Sequence, residues 1–167
     1  GVVDLDKHRI AVLGAGTVGG GVCRLIAENG DMMKSVHGVD IEVAAVLVSN
    51  INKPREGIDT SLLTDDYSSI INDSSITLVA EAIGGTSPAL EYAVAALEAG
   101  KTYVTANKGL VAKHWDKLGQ AAMKTGAGLY FEPAVAGAVP VIKALTDSLQ
   151  ANSISSVMGI INGTTNY

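Results

Sequence analysis

Short, nearly continuously apolar runs alternate along this chain with segments of helical periodicity. The runs lie at 9–13, 41–48, 78–83, 102–105, 128–132 and 154–161, and the helical segments at 17–29, 89–99, 111–125 and 140–150. A strand that is apolar along its whole length is buried on both faces, as in a parallel sheet with helices on each side. The alternation therefore predicts an α/β fold with a doubly wound, mostly parallel sheet. Gly30 and Gly100 are expected to end the first two helices, and Ser87 to cap the start of the second.

The overall composition narrows the possible partners. The chain has 167 residues, of which 47% are hydrophobic and 17% charged, which argues against disorder and coiled coil. The net charge of -5 argues against a nucleic-acid partner, and Cys23 as the single cysteine excludes an internal disulfide. The charged opening GVVDLDKHRI is unlike a signal peptide, and no apolar run approaches the roughly 20 residues that cross a bilayer. We expect a soluble cytoplasmic protein without a membrane partner.

A glycine-rich motif follows the first apolar run directly and opens the first helix. The sequence GAGTVG at 14–19 matches G-x-G-x-x-G. In this setting Gly14 permits a tight turn, Gly16 lets a pyrophosphate approach the backbone, and Gly19 lets helix and strand pack closely. The helix N-terminus offers free amides to the phosphates. The motif predicts a Rossmann-type dinucleotide site, with cofactor contacts expected from Gly14, Ala15, Gly16, Thr17, Val18 and Gly19.

The end of the second apolar run bears on which dinucleotide is bound. An acidic residue there would hydrogen-bond the ribose of NAD, but the run ends in Leu47-Val48-Ser49-Asn50. Lys53 and Arg55 follow and could meet a 2'-phosphate, although an ordinary solvated loop accounts for them equally well. The pattern favours NADP, with NAD tolerated, and places Ser49 beside the cofactor.

Two further strand ends fall on the same edge of the predicted sheet, where ligands of such folds bind. One of these ends carries Gly84, Gly85 and Thr86. The two glycines have no side chains, so a ring or ribose could approach the backbone there. Thr105 and Lys108 end another strand, and the lysine could hold a substrate oxygen near the nicotinamide. The alternative for Lys108 is a solvent-exposed lysine in a turn.

A carboxylate marks the next strand end, at the start of the loop EPAVAGAVP (132–140). Glu132 with backbone carbonyls could coordinate a cation or shape a substrate pocket, although a structural loop with a surface glutamate is the alternative. His8, His37 and His114 show no metal-binding spacing. Glu81 lies inside an apolar strand and is expected to be buried with a partner that the sequence does not identify.

Several motifs together resemble homoserine dehydrogenase, and the resemblance covers the chain from about Arg9 to Tyr167. They occur in the family's order: the glycine loop at 14–19, Ile83-Gly84-Gly85, Thr105-Ala106-Asn107-Lys108, the loop at 132–140 and NGTTNY at 162–167. The glycine loop is generic, whereas TANK followed by the later two motifs is specific. The family reduces aspartate 4-semialdehyde to L-homoserine with NADPH or NADH, on the route to threonine and methionine.

The resemblance also implies roles for individual residues. Lys108 would contact the cofactor and assist proton transfer, and Thr86 would lie by the nicotinamide ribose. A monovalent cation, usually sodium, would be bound by the Glu132 side chain and by the carbonyls of Val135, Gly137 and Val139.

The resemblance divides the chain as well. Residues 1–137 would form the NAD(P)-binding domain, and residues 138–167 the connecting helix and first strand of a truncated substrate and dimerisation domain. The parent protein would be a homodimer acting on a small-molecule substrate. The principal catalytic lysine is expected beyond Tyr167, so this chain alone is expected to bind dinucleotide without turning over homoserine.

The sequence departs from the family at two positions, and two other functions stay open. Some NADP-preferring members have arginine where Ser49 stands, and many have glycine where Ala138 stands. Another amino-acid or semialdehyde dehydrogenase with the same cofactor domain is one alternative. A non-catalytic module that senses NAD(P)H is the other, and it would have no use for Lys108.

Overall fold

A six-stranded sheet forms the centre of the molecule, and a computed structural model describes it over residues 7–136 and 139–159. The strands are β1 (Lys7–Leu13), β2 (Asp40–Leu47), β3 (Leu63–Thr64), β4 (Ile76–Glu81), β5 (Thr102–Thr105) and β6 (Leu129–Tyr130). All neighbouring strands pair in parallel, in the order β3-β2-β1-β4-β5-β6. This is the doubly wound order of the Rossmann fold, with its reversal between β1 and β4. The predicted fold class is confirmed.

Five helices complete the described fold. They are α1 (Thr17–His37), α2 (Tyr67–Asn72), α3 (Ala89–Glu98), α4 (Lys108–Thr125) and α5 (Val141–Lys143), the last continuing as a π-helical turn (Ala144–Ser148). Short 3-10 turns lie at Thr60–Leu62 and Glu132–Ala134. None of the helices in the described ranges is long and apolar enough to cross a bilayer.

The core has two halves, one on each face of the sheet. Because successive side chains of a strand point to opposite faces, β1 contributes Ile10 and Val12 to one cluster and Ala11 and Leu13 to the other. The first cluster includes Cys23 of α1, which is 5% exposed. The second packs against α2, α3 and α4. Helices therefore cover both faces, and the edge that carries the strands' carboxyl ends is left for ligands.

The first helix is longer than the sequence predicts. Gly30 was expected to end it, but α1 runs on to His37 and ends at Gly38, which has φ 68°. In the part of the chain that the structure describes, no atom lies within 4 Å of a Cβ built on Gly30. One glycine inside a helix costs only about 1 kcal/mol, so the helix formers that follow it, such as Met32, Met33 and Lys34, carry the helix on.

Other boundaries also differ from the prediction. Pro88 occupies the N-cap of α3 without a side-chain cap, so the assignment of that position to Ser87 was wrong. The strand predicted over 128–132 is only Leu129–Tyr130. Residues 154–159 form no strand, which contradicts the described part of the run predicted at 154–161. Gly137, Ala138 and the NGTTNY motif lie outside the described residues.

Candidate cofactor site

An open cavity of about 850 Å³ lies outside the carboxyl ends of β1, β2 and β4. Its walls come from three segments: the glycine loop after β1, the loop after β2, and the start of the connection from β4 to α3. Ligands of open α/β sheets bind in such a crevice, at the point where the strand order reverses. Of the predicted cofactor residues, Gly14, Ala15, Gly16, Thr17, Ser49, Lys53 and Arg55 line this cavity.

The three motif glycines differ in backbone conformation and in the space available for a side chain. Gly14 has φ +91°, and its N–H donates to the Leu47 carbonyl at 2.9 Å, which joins the loop to the end of β2. A Cβ on Gly19 would stand 1.9 Å from the Gly14 carbonyl oxygen, so α1 could not approach the loop. No atom of the described residues lies within 4 Å of a Cβ on Gly16, the N-cap of α1, so this position is open on that side.

The first turn of α1 leaves backbone amides without helical partners. Gly16 provides no side-chain cap, and no acidic side chain occupies the first turn. The first N–H groups of any helix have no partner within that helix, and the helix dipole adds partial positive charge there. An anion in the cavity would meet these amides directly.

Three cationic residues line the cavity on the side of α1 and β2. Lys53 and Arg55 were expected there, and the Arg55 guanidinium donates to the Lys53 carbonyl at 2.8 Å. Arg24 of α1 is the third, and the sequence analysis missed it. Its stem packs on Gly57, where a built Cβ would stand 3.1 Å from the Arg24 Cγ. The available signal was helical spacing, because Arg24 follows Gly20 by one turn on the face that begins at the glycine loop.

The opposite wall includes Ala82, Ile83, Pro88 and Tyr92. The Tyr67 hydroxyl donates to the Tyr92 carbonyl, and the two rings lie 4.0 Å apart between centroids. Burial raises the pKa of Tyr67, so this hydroxyl stays a donor throughout the physiological range. Residues of α2 and α3 thereby support this side of the cavity.

The remaining predicted cofactor residues do not line the cavity. They are Val18, Gly19, Gly84, Gly85, Thr86, Thr105 and Lys108. Val18 is 55% exposed, and Thr105 is completely buried. Lys108 is exposed, but it is the first residue of α4 instead of a loop residue, and Asn107 caps that helix by accepting from the Leu110 N–H at 3.0 Å.

Glu132 faces the start of α5. Its two carboxylate oxygens accept from the backbone N–H groups of Ile142 at 3.1 Å and Lys143 at 2.8 Å. Val139 is exposed and Val135 half-buried, whereas Gly137 is outside the described residues. Across the described part of the chain, no three His, Cys, Asp or Glu side chains group as a metal site.

The strand order, the glycine loop and the adjoining cavity define an NAD(P)-binding domain of the Rossmann type. Residues 14–132 match the family model described as homoserine dehydrogenase, NAD binding domain, and residues 140–167 match the model described as homoserine dehydrogenase. The chain belongs to the homoserine dehydrogenase family.

Individual relatives agree with this assignment. A homoserine dehydrogenase of Corynebacterium glutamicum is 50% identical over 158 residues, which are 95% of this chain and 36% of the relative. The crystal structure of a homoserine dehydrogenase from Thiobacillus denitrificans has a TM-score of 0.86 at 41% identity, covering 96% of this chain and 37% of that one. The chain thus spans little more than a third of the length of these relatives.

A more distant structure shares the fold. A hyperthermophilic archaeal homoserine dehydrogenase in complex with NADPH has a TM-score of 0.67 at 22% identity, covering 84% of this chain and 48% of that one. At this identity the likeness concerns the fold alone.

Proposed function

We propose that this chain is the cofactor-binding part of an enzyme that interconverts L-homoserine and L-aspartate 4-semialdehyde, and that it holds NADP in the cavity beside the glycine loop. The observation that carries the proposal is the make-up of that cavity. Free amides at the start of α1 border the cavity, and the cationic side chains of Arg24, Lys53 and Arg55 line it beside α1 and the end of β2. Two anionic groups, a pyrophosphate and a 2'-phosphate, would satisfy these two groups of donors.

The preference for NADP rests on charge at the end of β2. No acidic residue stands there to accept from a free ribose hydroxyl, and among the described residues Glu56 is the single carboxylate that lines the cavity. The positive charges outnumber it, since Arg24, Lys53 and Arg55 line the same space. A guanidinium binds phosphate through paired N–H donors. Ser49 offers a hydroxyl beside them but no charge.

Hydride transfer is the reaction we propose for the whole protein. When bound, the nicotinamide exchanges a hydride with the carbon that carries the substrate oxygen, and a proton moves to or from that oxygen. The glycine loop and cationic residues would fix the cofactor. Lys108, exposed at the start of α4, would approach the nicotinamide end and hold the substrate oxygen. Thr86 would lie beside the nicotinamide ribose.

A monovalent cation near Glu132 fits the donor chemistry of the described residues. Hard cations prefer carboxylate and carbonyl oxygens, and each Glu132 oxygen accepts one backbone N–H, which leaves further lone pairs. The carbonyls of Val135 and Val139 would complete the set together with Gly137. Sodium is the ion we propose, and its role would be to fix the 132–140 loop.

We propose a domain boundary near residue 137, between an NAD(P)-binding domain and the start of a substrate and dimerisation domain. The two family models support it, since one ends at residue 132 and the other begins at residue 140. A cytoplasmic homodimer is the proposed state of the whole protein.

The decisive experiment has a binding arm and a turnover arm. The purified 167-residue chain is titrated with NADPH and with NADH, and we expect saturable binding of both, with NADPH the tighter. Supplied with L-homoserine and NADP, the same chain should give no reduction. The matching third of the Corynebacterium glutamicum enzyme is then replaced by this chain, and the chimera should reduce NADP when L-homoserine is added. A folded chimera that binds NADPH but ignores homoserine would favour another substrate, and a chain that binds no dinucleotide would end the proposal.

A further inference from the structure

A buried carboxylate lies at the carboxyl end of β4. Glu81 is 2% exposed, and none of the ion pairs in the described ranges includes it. Its Oε1 accepts from the N–H groups of Ile83 at 2.8 Å and Gly84 at 3.3 Å, and its Oε2 accepts from the Thr105 hydroxyl at 2.6 Å. A buried charge is costly unless hydrogen bonds compensate it, so these contacts are strong restraints on the groups that make them.

The hydrogen bonds continue from Thr105 into the next loop. The Thr105 hydroxyl, which donates to Glu81, also accepts from the Asn107 N–H at 2.9 Å. Asn107 caps α4 by accepting from Leu110, and its side-chain amide donates to the Gly85 carbonyl. The bonds therefore form a closed circuit through Glu81, Thr105, Asn107 and the loop at 83–85, which we name the Glu81 circuit.

The loop that this circuit holds has little else to fix it. Gly84 and Gly85 have φ values of 71° and 70°, and both are exposed. Within the described ranges, no atom lies within 4 Å of a Cβ on Gly84. Adjacent glycines without side-chain packing have wide conformational freedom. The loop is tied at one end by Glu81 and at the other by Asn107.

The position of this loop indicates which half of a bound cofactor would lie beside it. Ile83 of this loop, together with Ala82 and Pro88 on either side of it, lines the wall of the cavity opposite Lys53 and Arg55. If the cationic side holds the adenosine 2'-phosphate, the wall beside Gly84 and Gly85 faces the nicotinamide half.

We propose that Glu81 is a positioning residue for the nicotinamide half of the cofactor. Acting through Thr105 and Asn107, it joins the Gly84–Gly85 loop and the first turn of α4 into one rigid unit beside the cavity wall. It thereby also fixes the backbone that carries Lys108. The inference rests on the proposed cofactor site. It also gives Thr105 a different role from the direct cofactor contact expected from sequence. The Thr105 side chain is buried, and its hydroxyl both donates to Glu81 and accepts from the Asn107 N–H.

The chemistry of the circuit requires a carboxylate. An ionised carboxylate accepts on both oxygens, whereas an amide accepts on one and donates on the other. In Glu81→Gln, either the Ile83 and Gly84 amides or the Thr105 hydroxyl must lose an acceptor. A buried donor left without a partner weakens the arrangement, so the loop should become less ordered.

The test compares the affinities of two ligands that share the adenosine half of the cofactor. NADPH reaches both sides of the cavity, whereas 2',5'-ADP occupies only the adenosine side. In E81Q and T105V we expect NADPH affinity to fall roughly five- to tenfold, the effect of about one lost hydrogen bond, with 2',5'-ADP affinity unchanged. Thr105→Ser keeps the hydroxyl and should restore NADPH affinity.

Two more variants separate positioning from general stability. Asn107→Ser keeps a good N-cap but loses the hydrogen bond to the Gly85 carbonyl. If E81Q does not fold, the NADPH affinity of this variant tests the role of the Glu81 circuit instead. Lys101→Met is the matched control, because the buried Lys101 amine donates to the carbonyls of Asp73 and Ile76, both at 2.7 Å, at the opposite edge of the sheet. It should lower the melting temperature and leave both affinities unchanged.

The outcomes are distinct from those of the proposed function. Wild-type chain that binds neither ligand would end the proposed cofactor site itself. Wild-type binding with unchanged NADPH affinity in N107S and T105V would overturn the role of the Glu81 circuit. An equal loss for NADPH and 2',5'-ADP would also overturn it, because it would indicate a general structural effect.

Discussion

Gly19 and Gly14 are packed so closely that a Cβ on Gly19 would lie 1.9 Å from the Gly14 carbonyl oxygen. Gly19→Ala must therefore push α1 away from the loop, and overpacking of this kind costs about 1–3 kcal/mol. Urea unfolding should show this loss in the chain without ligand. An unchanged midpoint would mean that the helix can shift freely.

Gly16→Ala should affect cofactor binding much more than it affects stability. A Cβ there meets no described residue within 4 Å, so stability should change by less than about 1 kcal/mol. The methyl group would occupy the space through which a pyrophosphate approaches, and we expect NADPH affinity to fall at least about tenfold. Gly21→Ala is the control, because it is also free of neighbours but lies inside α1. Tight NADPH binding by G16A would place the pyrophosphate elsewhere.

Arg24→Met tests the cation that the sequence analysis missed. Methionine keeps an apolar stem against Gly57 but removes the charge. Losing one charge-assisted bond to a 2'-phosphate should weaken NADPH roughly tenfold and NADH little. Fluorescence titration with both cofactors measures the ratio, and Lys117→Met on the exposed surface of α4 is the control. Equal losses for the two cofactors would exclude a 2'-phosphate contact.

Two tyrosines, Tyr103 fully buried and Tyr67 partly buried, should respond differently to loss of the hydroxyl. The Tyr103 hydroxyl is buried without a hydrogen-bond partner among the described residues, whereas Tyr67 donates to the Tyr92 carbonyl. Tyr103→Phe should be neutral or stabilising, and Tyr67→Phe should cost about 1 kcal/mol. Thermal unfolding of both variants measures this, and a large loss in Y103F would reveal a partner for its hydroxyl.

Alkaline pH should destabilise the fold through the same tyrosines. Burial raises the pKa of both Tyr67 and Tyr103 above the ordinary value of 10.0. The unfolded chain then loses its phenolic protons first, so stability is fully present below about pH 10 and falls as pH rises beyond it. Urea midpoints between pH 8 and pH 11 check the slope, which should be shallower in Y67F. A flat profile would mean that these phenols ionise equally in both states.

The elements that the sequence predicts well are those with a strong local signal. β1, β2, β4 and β5 are apolar runs next to glycine or polar residues, and each lies within about two residues of its predicted position. β3 was missed because it has two residues and owes its existence to pairing with Val46 and Leu47. The helix α2 was missed although Asp66 caps it by accepting from the Ser68 N–H.

The residues of the site also divide into those with a local sequence signal and those that depend on contacts between distant segments. The glycine loop is local, and its geometry follows from its position after β1. Arg24 and the Glu81 circuit depend on which segments meet in space. Glu81 and Thr105 are in register on neighbouring strands, and no sequence pattern states that pairing. The sequence indicates a buried partner for Glu81, and the fold is needed to identify it.

The all-parallel pairing of the sheet has a consequence for how the chain folds. Parallel neighbours cannot be joined by a tight hairpin, and β1 at the centre pairs Leu13 with Leu47 on one side and with Glu81 on the other. The central strand thus gains its partners only after two long segments have been brought back to it. High contact order slows folding, and a nascent chain would leave one edge of β1 unpaired until β4 had been synthesised. The cofactor cavity, built from the same three strand ends, would be among the last features to form.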